Sequence, residues 1–565
     1  MGKKIVIVGG VAGGASAATR IRRLDEQADI TIFEKGPYAS FSNCALPYYL
    51  GGVVERSDSL VLMDPPRFLA QYNIDVRVNS EVLSIDRAKK TVTVRDLQAD
   101  AVYTVSYDKL ILSPGAKPIL PASIPGTAKP HVFTVRNVPD IVRLKEFLSR
   151  EDIRQVAVVG GGFIGVEIAE NLTIMGKSVT IVEAAQQIMA PFDDDMVQIL
   201  HKELLDHQVQ LLLSAAVREI TDTQVLLSSG QAIAAQAVVM AIGVVPETDL
   251  AQAAGLELGQ TGGIQVNPNY QTSDEDIYAV GDAIEVYHRL SRAPTRLALA
   301  GPAQRQARSA ADHMYGQSNC RRGVIGSSAV RIFGLNAAST GMNEKQAQAA
   351  GIPYGFAYVI PMDKVSLMPD KAPLHFKLLY EYPTGRLLGA QAIGKGNADK
   401  RIDVIAAMIH MNATLEDLKE LELCYSPLFG TARDAVNQAA LVGLNLLYGP
   451  LRQVNVAKAR ELVENGAFIV DVREPAEFAR GHLINAVNIP LSQLRDRLSE
   501  IPRDIPVYLH CRSGQRSYNA CMVLINNGYR NVFNISGSYL GICLYEYFRD
   551  TVQQREKIVT EYNFS

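Results

Sequence analysis

At 565 residues the chain is too long for one domain, and roughly 150 residues per domain suggests three or four. With 47% hydrophobic and 20% charged residues it can bury substantial cores and is not a disordered chain. Lys and Arg number 56 against 59 Asp and Glu, a net charge of −3 that gives no global attraction to nucleic acid or an anionic membrane, and six cysteines without a C-x-x-C pair exclude a disulfide scaffold and a cysteine-rich zinc site.

The first element is the apolar run Ile5-Val6-Ile7-Val8, which predicts a buried strand. It lacks the apolar region and cleavage site of a secretory leader, and no apolar run approaches the roughly 18 residues of a membrane span. A cytoplasmic chain, with no membrane and no nucleic acid as partner, is expected. Gly9-Gly10-Val11-Ala12-Gly13-Gly14 follows, and a second strand, Ile30 to Phe33, ends at Glu34 with Lys35 next. Strand, glycine turn, helix, strand and acid form a dinucleotide fingerprint, in which helix-terminal amides hold the pyrophosphate and the acid takes the ribose hydroxyls. The match is imperfect, because the second fingerprint glycine falls on Val11.

Ser40-Phe41-Ser42-Asn43-Cys44-Ala45-Leu46-Pro47-Tyr48 comes next. A lone thiol cannot form an internal disulfide, so its oxidised form must be a mixed disulfide, a persulfide or a sulfenic acid. A second nucleotide unit opens at Val156 to Val159. Gly160-Gly161-Gly162-Phe163-Ile164-Gly165 fits G-x-G-x-x-G fully, and the strand Ser178 to Val182 ends at Glu183. That carboxylate accepts a free 2′-hydroxyl and repels a 2′-phosphate, and Ala184-Ala185-Gln186-Gln187 supplies no arginine, so NADH is expected over NADPH. Two units in one chain fit hydride transfer through a flavin.

Ile277 to Asp282 resembles the second flavin motif of the two-dinucleotide-binding flavoproteins, whose aspartate holds the ribityl chain. Leu112-Ser113-Pro114-Gly115-Ala116 and the segment Ala241 to Glu247, with Gly243, resemble that superfamily's crossovers. The S-F-x-N-C-x-L-P-Y run, the G-G-V-A-G-G turn and Gly281-Asp282 resemble the coenzyme A-disulfide reductase family as far as about residue 447. The resemblance implies a redox Cys44, a homodimer, and Ser40 and Asn43 lining the substrate channel. It further suggests Ser16, Arg20 and Arg23 as coenzyme A contacts. The family places partner-subunit tyrosines beside the cysteine, and Tyr425 matches one of them, with Pro427 and Asp434 as landmarks. Where the family reads H-A-x-Y-Y-P-G this chain has Lys364-Val365-Ser366-Leu367-Met368-Pro369-Asp370, so both tyrosines and the histidine of that segment are replaced.

Beyond Tyr448-Gly449-Pro450 the pattern changes. Phe468 to Arg473, Gly481-His482-Leu483 and Cys511-Arg512-Ser513-Gly514-Gln515-Arg516-Ser517 resemble single-domain rhodanese. A cysteine at a strand end, in a tight loop before a helix, meets converging amides that favour a thiolate, and Arg512 and Arg516 add charge. Cys320, Cys521 and Cys543 are read as structural, and Cys424 is left unassigned.

The expected fold is α/β: two Rossmann-like dinucleotide-binding domains, an α+β dimerisation domain and a C-terminal α/β rhodanese domain. The expected boundaries are 1–115 with 250–322 for FAD, 116–249 for NAD, 323–447 for dimerisation and 453–565 for rhodanese. The candidate cofactor residues are Gly9, Gly10, Ala12, Gly13, Gly14, Glu34, Lys35, Ser113, Pro114, Gly115 and Asp282, then Gly160, Gly162, Phe163, Ile164, Gly165, Glu183 and Gly243. No metal is expected. The expected activity is NADH-dependent reduction of coenzyme A persulfide, polysulfide or coenzyme A disulfide through Cys44, with FAD as cofactor, coenzyme A as substrate or bound ligand, and Cys511 handling sulfane sulfur. An NADH oxidase or peroxidase cycling through a sulfenic acid, and a persulfide carrier or sensor, stay open as alternatives.

Overall fold

The computed structural model describes residues 2–317 and 323–564, so Cys320 lies outside the described residues. The chain forms two compact units, Met1–Gln186 with Leu212–Val324, and Gln187–Leu211 with Ile325–Ser565.

In the first unit, strand Lys4–Val8 lies between Asp29–Phe33 and Lys109–Leu112, with Asp75–Arg77 and Ile277–Ala279 at the edges, all parallel. Ile5, Ile7, Leu110 and Ile111 are buried, as near-continuous apolar strands of a sheet covered on both faces should be. The helix Ala12–Leu24 buries Ala17, Ala18 and Ile21 in the same core as Ala307, Ala310 and Ala311 of the helix Ala300–Met314. Small side chains let the two helices lie close, which explains why a segment near residue 300 returns to the N-terminal sheet. A second parallel sheet centres on Gln155–Val159, flanked by Ser178–Val182 and Ala237–Met240, with Val132–Phe133 beyond. Between the two sheets run the crossovers, where Ala116–Pro118 pairs antiparallel with Val244–Pro246.

The second unit holds an antiparallel sheet in the order Ser328–Ile332, Leu335–Gly341, Leu387–Gly394, Leu374–Glu381, Tyr354–Val359. It also holds a parallel sheet in the order Gln453–Val454, Val532–Ile535, Val507–His510, Phe468–Asp471, Val487–Asn488. The helix Asp194–Asp206 belongs to this unit and not with the second nucleotide sheet, where the expected NAD segment would put it. Ion pairs account for that. Asp195 meets Lys377, and Asp194 meets Arg549 and the Tyr545 hydroxyl. Lys377 is fully buried in the strand Leu374–Glu381, with Asp193, Asp195 and Glu344 around its ammonium group. Burial alone would lower its pKa, but the three carboxylates raise it above the ordinary lysine value. Among the described residues no helix is long and apolar enough to cross a membrane.

Candidate functional site

The two glycine turns use one hydrogen-bond pattern twice. The Glu34 carboxylate accepts from the Gly10 amide and from the Gly36 amide, both at 2.8 Å. Glu183 accepts from the Gly161 amide at 2.6 Å and the Ala185 amide at 2.8 Å. Gly9 (φ +93°) and Gly160 (φ +110°) lie in the backbone region that favours glycine. A Cβ at Gly9 would overlap Ser113 O, one at Gly160 would overlap Ala241 O, and one at Gly14 or Gly165 would overlap Gly9 O or Gly160 O. The glycines are therefore demanded by strand–turn–helix contact. Neither the helix Ala12–Leu24 nor the helix Phe163–Ile174 has a side-chain cap or an acid in its first turn. Both turns thus fit a dinucleotide, with amides and a positive helix end for its phosphates and a pre-held carboxylate for its ribose. Burial pushes the Glu34 carboxyl up, against the lowering pull of its two amide donors.

The remaining first-turn residues lie around this cradle. Gly13 packs so closely on Ser113 that a Cβ would overlap its Oγ, and that hydroxyl also faces Gly281. The Arg136 guanidinium donates to Pro114 O and pairs with Glu247, whose amide donates to Gly115 O. Gly243 accepts from the Ile119 amide and so closes the crossover ribbon. Asp282 sits in the one-turn segment Gly281–Ala283, with its carboxyl raised by burial and lowered by Arg136. Lys35, in contrast, pairs with Glu81 at 2.7 Å.

Cys44 lies in a short turn, Asn43–Ala45, that runs into the helix Leu46–Leu50. Its side chain is exposed, yet local burial and then the carboxylates of Glu167 and Asp282 raise its thiol above the ordinary value. The lone thiol, Asp282 and Glu167 thus share one electrostatic neighbourhood. Glu167 escaped the sequence reading. It lies on the helix Phe163–Ile174, accepts from the Tyr48 hydroxyl at 3.1 Å, and is pushed up to about 7 by burial. The only sequence signal was an acid within the apolar run Phe163 to Ala169. Gly51, just after the Cys44 segment, abuts Asn171 on that same helix.

On the first helix, Arg20 is committed to Asp312 at 2.5 Å and also reaches Gln317. Arg23 is the exposed guanidinium, close to the Thr19 hydroxyl, while Ser16 is half-buried. Ser40 lies at φ +50°, its amide donating to Gly10 O, which ties the cysteine segment to the glycine turn.

In the second unit Tyr425 is half exposed, and Leu428, Phe429 and Leu367 are more so. Asp434 caps the helix Ala435–Leu447 and pairs with Arg401 at 3.0 Å. Arg401 also donates to Asp363 O and Phe429 O, so this one ion pair brings the segments around 364–370 and 425–429 to a common anchor.

Cys511 is buried at the end of Val507–His510. Its Sγ accepts from the Gly514 amide at 3.1 Å and from the Ser517 hydroxyl at 3.6 Å, with the Ser538 hydroxyl at 3.9 Å. The converging donors expected of a thiolate cradle are present. The arginines differ from the expectation: Arg516 is held in a two-pronged pair with Glu477, at 2.6 and 2.8 Å, so its charge is largely answered. Arg512 is lowered by burial. Cys521 and Cys543 are buried, and burial raises both thiols.

Comparison with known proteins agrees with this architecture. The family profile for pyridine nucleotide-disulphide oxidoreductases matches residues 3–307, that for their dimerisation domain 327–436, and that for rhodanese-like domains 455–544. The chain is similar to a coenzyme A disulfide reductase of Staphylococcus epidermidis, 34% identical over 435 residues, which covers 77% of this chain and 98% of that protein. It superposes on reduced Bacillus anthracis CoADR-RHD with a TM-score of 0.94 and 42% identity, covering 97% of this chain and 99% of the other. The NAD-dependent persulfide reductase of A. fulgidus gives 0.91 and 32%, covering 95% and 99%. A repeated dinucleotide fold, a thiol in the electrostatic neighbourhood of Asp282 and the three matching family profiles place the chain among the pyridine nucleotide-disulphide oxidoreductases, in the coenzyme A disulfide reductase group that carries a rhodanese-like domain.

Proposed function

We propose that the chain uses NADH to reduce coenzyme A persulfide, polysulfide or coenzyme A disulfide at Cys44, and that Cys511 handles sulfane sulfur. The observation that carries this reading is the exposed lone thiol of Cys44 in the same electrostatic neighbourhood as Asp282. FAD is proposed to lie against the turn Gly9–Gly14, Glu34, the Ser113–Gly115 segment and Asp282. NADH would occupy the turn Gly160–Gly165 and Glu183. Bound flavin supplies a hydride acceptor for NADH and a source of two electrons for sulfur.

The Cys44 thiolate attacks the outer sulfur of a persulfide. The bond to the coenzyme A sulfur breaks, and that sulfur leaves with the electron pair. Tyr425 is proposed to supply its proton. Two electrons and one proton would then cleave the Cys44 persulfide, Cys-S-SH, to thiolate and hydrogen sulfide. With polysulfide as substrate the group expelled is a hydrosulfide or shorter polysulfide, a less demanding leaving group than the alkyl thiolate of coenzyme A, which suits a chain with Leu367 and Met368 in place of the family tyrosines. Ser40 and Asn43 are proposed to line the channel, and Ser16, Arg20 and Arg23 to face coenzyme A. Of these, exposed Arg23 suits the ADP phosphates best, since Asp312 engages Arg20. The proposed domains are 1–115 with 250–322, 116–249, 323–447 and 453–565, in a cytoplasmic homodimer.

The deciding experiment is anaerobic NADH oxidation with coenzyme A persulfide, polysulfide and coenzyme A disulfide compared side by side. Turnover with at least one supports the reading. Turnover only with dioxygen or peroxide would replace it with an oxidase or peroxidase, and no turnover with any would leave a sulfur carrier.

A further inference from the structure

Ser538 is an unusual residue at an informative place. It is fully buried, it begins the helix Ser538–Gln553, and its backbone lies at φ +49°, a region that a serine adopts at a cost and glycine does not. Its hydroxyl accepts from the Cys511 amide at 3.2 Å and lies 3.9 Å from Cys511 Sγ and 3.4 Å from the Ser517 hydroxyl. The turn is held from two sides. The amides of Tyr539 and Leu540 donate to Cys511 O and Arg512 O, both at 3.0 Å. Below it, Gly537 abuts the Tyr358 ring so closely that a Cβ would come within 2.8 Å of it, and the Tyr358 hydroxyl is fixed 2.7 Å from His375 Nδ1. Strained backbone persists where surrounding contacts over-determine it, and here it places a hydroxyl oxygen 3.9 Å from a sulfur.

The Cys511 amide uses a lone pair of the Ser538 oxygen, and the Ser538 hydroxyl proton has Ile535 O at 3.5 Å, the Ser517 hydroxyl at 3.4 Å and the Cys511 sulfur at 3.9 Å within reach, while the Ser517 hydroxyl is shared between Gly514 O at 3.1 Å and that sulfur at 3.6 Å. We propose that Ser538 directs its proton to the Cys511 sulfur, and that with the Ser517 hydroxyl and the Gly514 amide it stabilises the thiolate released when a sulfane sulfur leaves Cys511. This rests on the reading of the C-terminal domain as a handler of sulfane sulfur. With thiosulfate as donor, the Cys511 thiolate attacks the outer sulfur, the S–S bond breaks, and sulfite leaves with the electron pair. Cyanide then attacks the outer sulfur of the Cys511 persulfide, thiocyanate departs, and the electron pair of the broken bond returns to Sγ. No net oxidation occurs at the protein, and the developing charge in the second step falls on the atom the three donors face.

The test uses the full chain with Ser538→Gly and Ser538→Ala. Both remove the hydroxyl, but glycine alone relieves the backbone. Three quantities are read: sulfur transfer from thiosulfate to cyanide, the pH profile of iodoacetamide alkylation followed on the Cys511 peptide by mass spectrometry, and the melting temperature. Loss of a hydrogen bond to a charged group should slow transfer about tenfold in both variants and move the alkylation midpoint up by about one pH unit. The glycine variant should melt at or above the parent temperature. A glycine variant with parental transfer and an unmoved midpoint would show that the residue serves only the backbone, and would overturn the proposal. The alkylation profile needs no sulfur donor. If the parent chain transferred no sulfur, the rhodanese reading would fall while the profile still decided the role of Ser538.

Discussion

In the proposed reaction Cys44 must lose its proton to attack sulfur, yet burial and two carboxylates raise its thiol. Glu167 is the adjustable one. In Glu167→Gln, removal of its negative charge should shift the pH midpoint of Cys44 alkylation downward, measured on the Cys44 peptide; an unmoved midpoint would mean that its charge does not reach the thiol. The same group predicts a pH dependence of stability. Its carboxyl is raised from 4.5 to about 7 by burial, so the folded chain binds that proton more tightly than the unfolded chain. The stability it contributes is complete below about 4.5 and is lost as pH rises through about 7, so melting temperatures of Glu167→Gln should fall less over that interval. Cys44→Ser should retain bound flavin, because the glycine turn and Asp282 are untouched, and should lose sulfur-dependent NADH oxidation. Absorbance of the bound flavin and anaerobic turnover check the two halves. The thiol, the glycine turns, Glu34 and Glu183 were legible because each is announced by neighbours a few residues away. Glu167 was not, since its partner Tyr48 lies 119 residues distant in sequence.

The strand Ser178–Val182 ends at its acid as the motif implies, and Cys511 stands at the end of the strand Val507–His510, whereas Lys4–Val8 and Gln155–Val159 each begin one residue before their apolar runs. The helix Asp194–Asp206 was not placed, because its partners are Lys377 on the strand Leu374–Glu381 and Arg549 on the helix Ser538–Gln553. Such pairs leave no local trace in sequence. Lys377 joins three elements through Asp193, Asp195 and Glu344. In Lys377→Met the three carboxylates would lose their common cation while staying largely buried, which should destabilise the fold by about 3–5 kcal/mol at neutral pH. Burial already raises Asp195, so mildly acid solution should restore part of the loss as a proton replaces the ammonium. Denaturant melts at both pH values measure this, and equal losses would show that the cluster is not electrostatically coupled.

For the whole molecule, the division into two units puts Cys44 in one and Cys511 in the other, each with its own set of partners. Cys511→Ser should therefore abolish transfer of sulfane sulfur from thiosulfate while leaving reduction of free coenzyme A persulfide near the parental rate. A variant unable to reduce the free persulfide would mean that every substrate passes through Cys511. The overall order of two nucleotide folds, a third domain and a sulfur loop was legible because each module carries a motif of its own; the grouping into units depends on contacts that no motif records. One further consequence comes from the carboxylates that clasp the two glycine turns. Glu183 holds the Gly161 and Ala185 amides, so under the proposed NADH site, where it would also face the ribose, discrimination between nucleotides and the rigidity of the loop would reside in the same side chain. Glu183→Ala should consequently lose about tenfold or more in kcat/KM for NADH without a matching gain for NADPH, since it slackens the turn in the act of removing the repulsion. A redesign of cofactor choice would have to supply a new acceptor for both amides before any arginine for a phosphate became useful. The same clasp at Glu34 means that each glycine turn has an amide fastened to a carboxylate at its own sheet's second strand end, so a substitution at either acid would loosen a turn as well as change a charge.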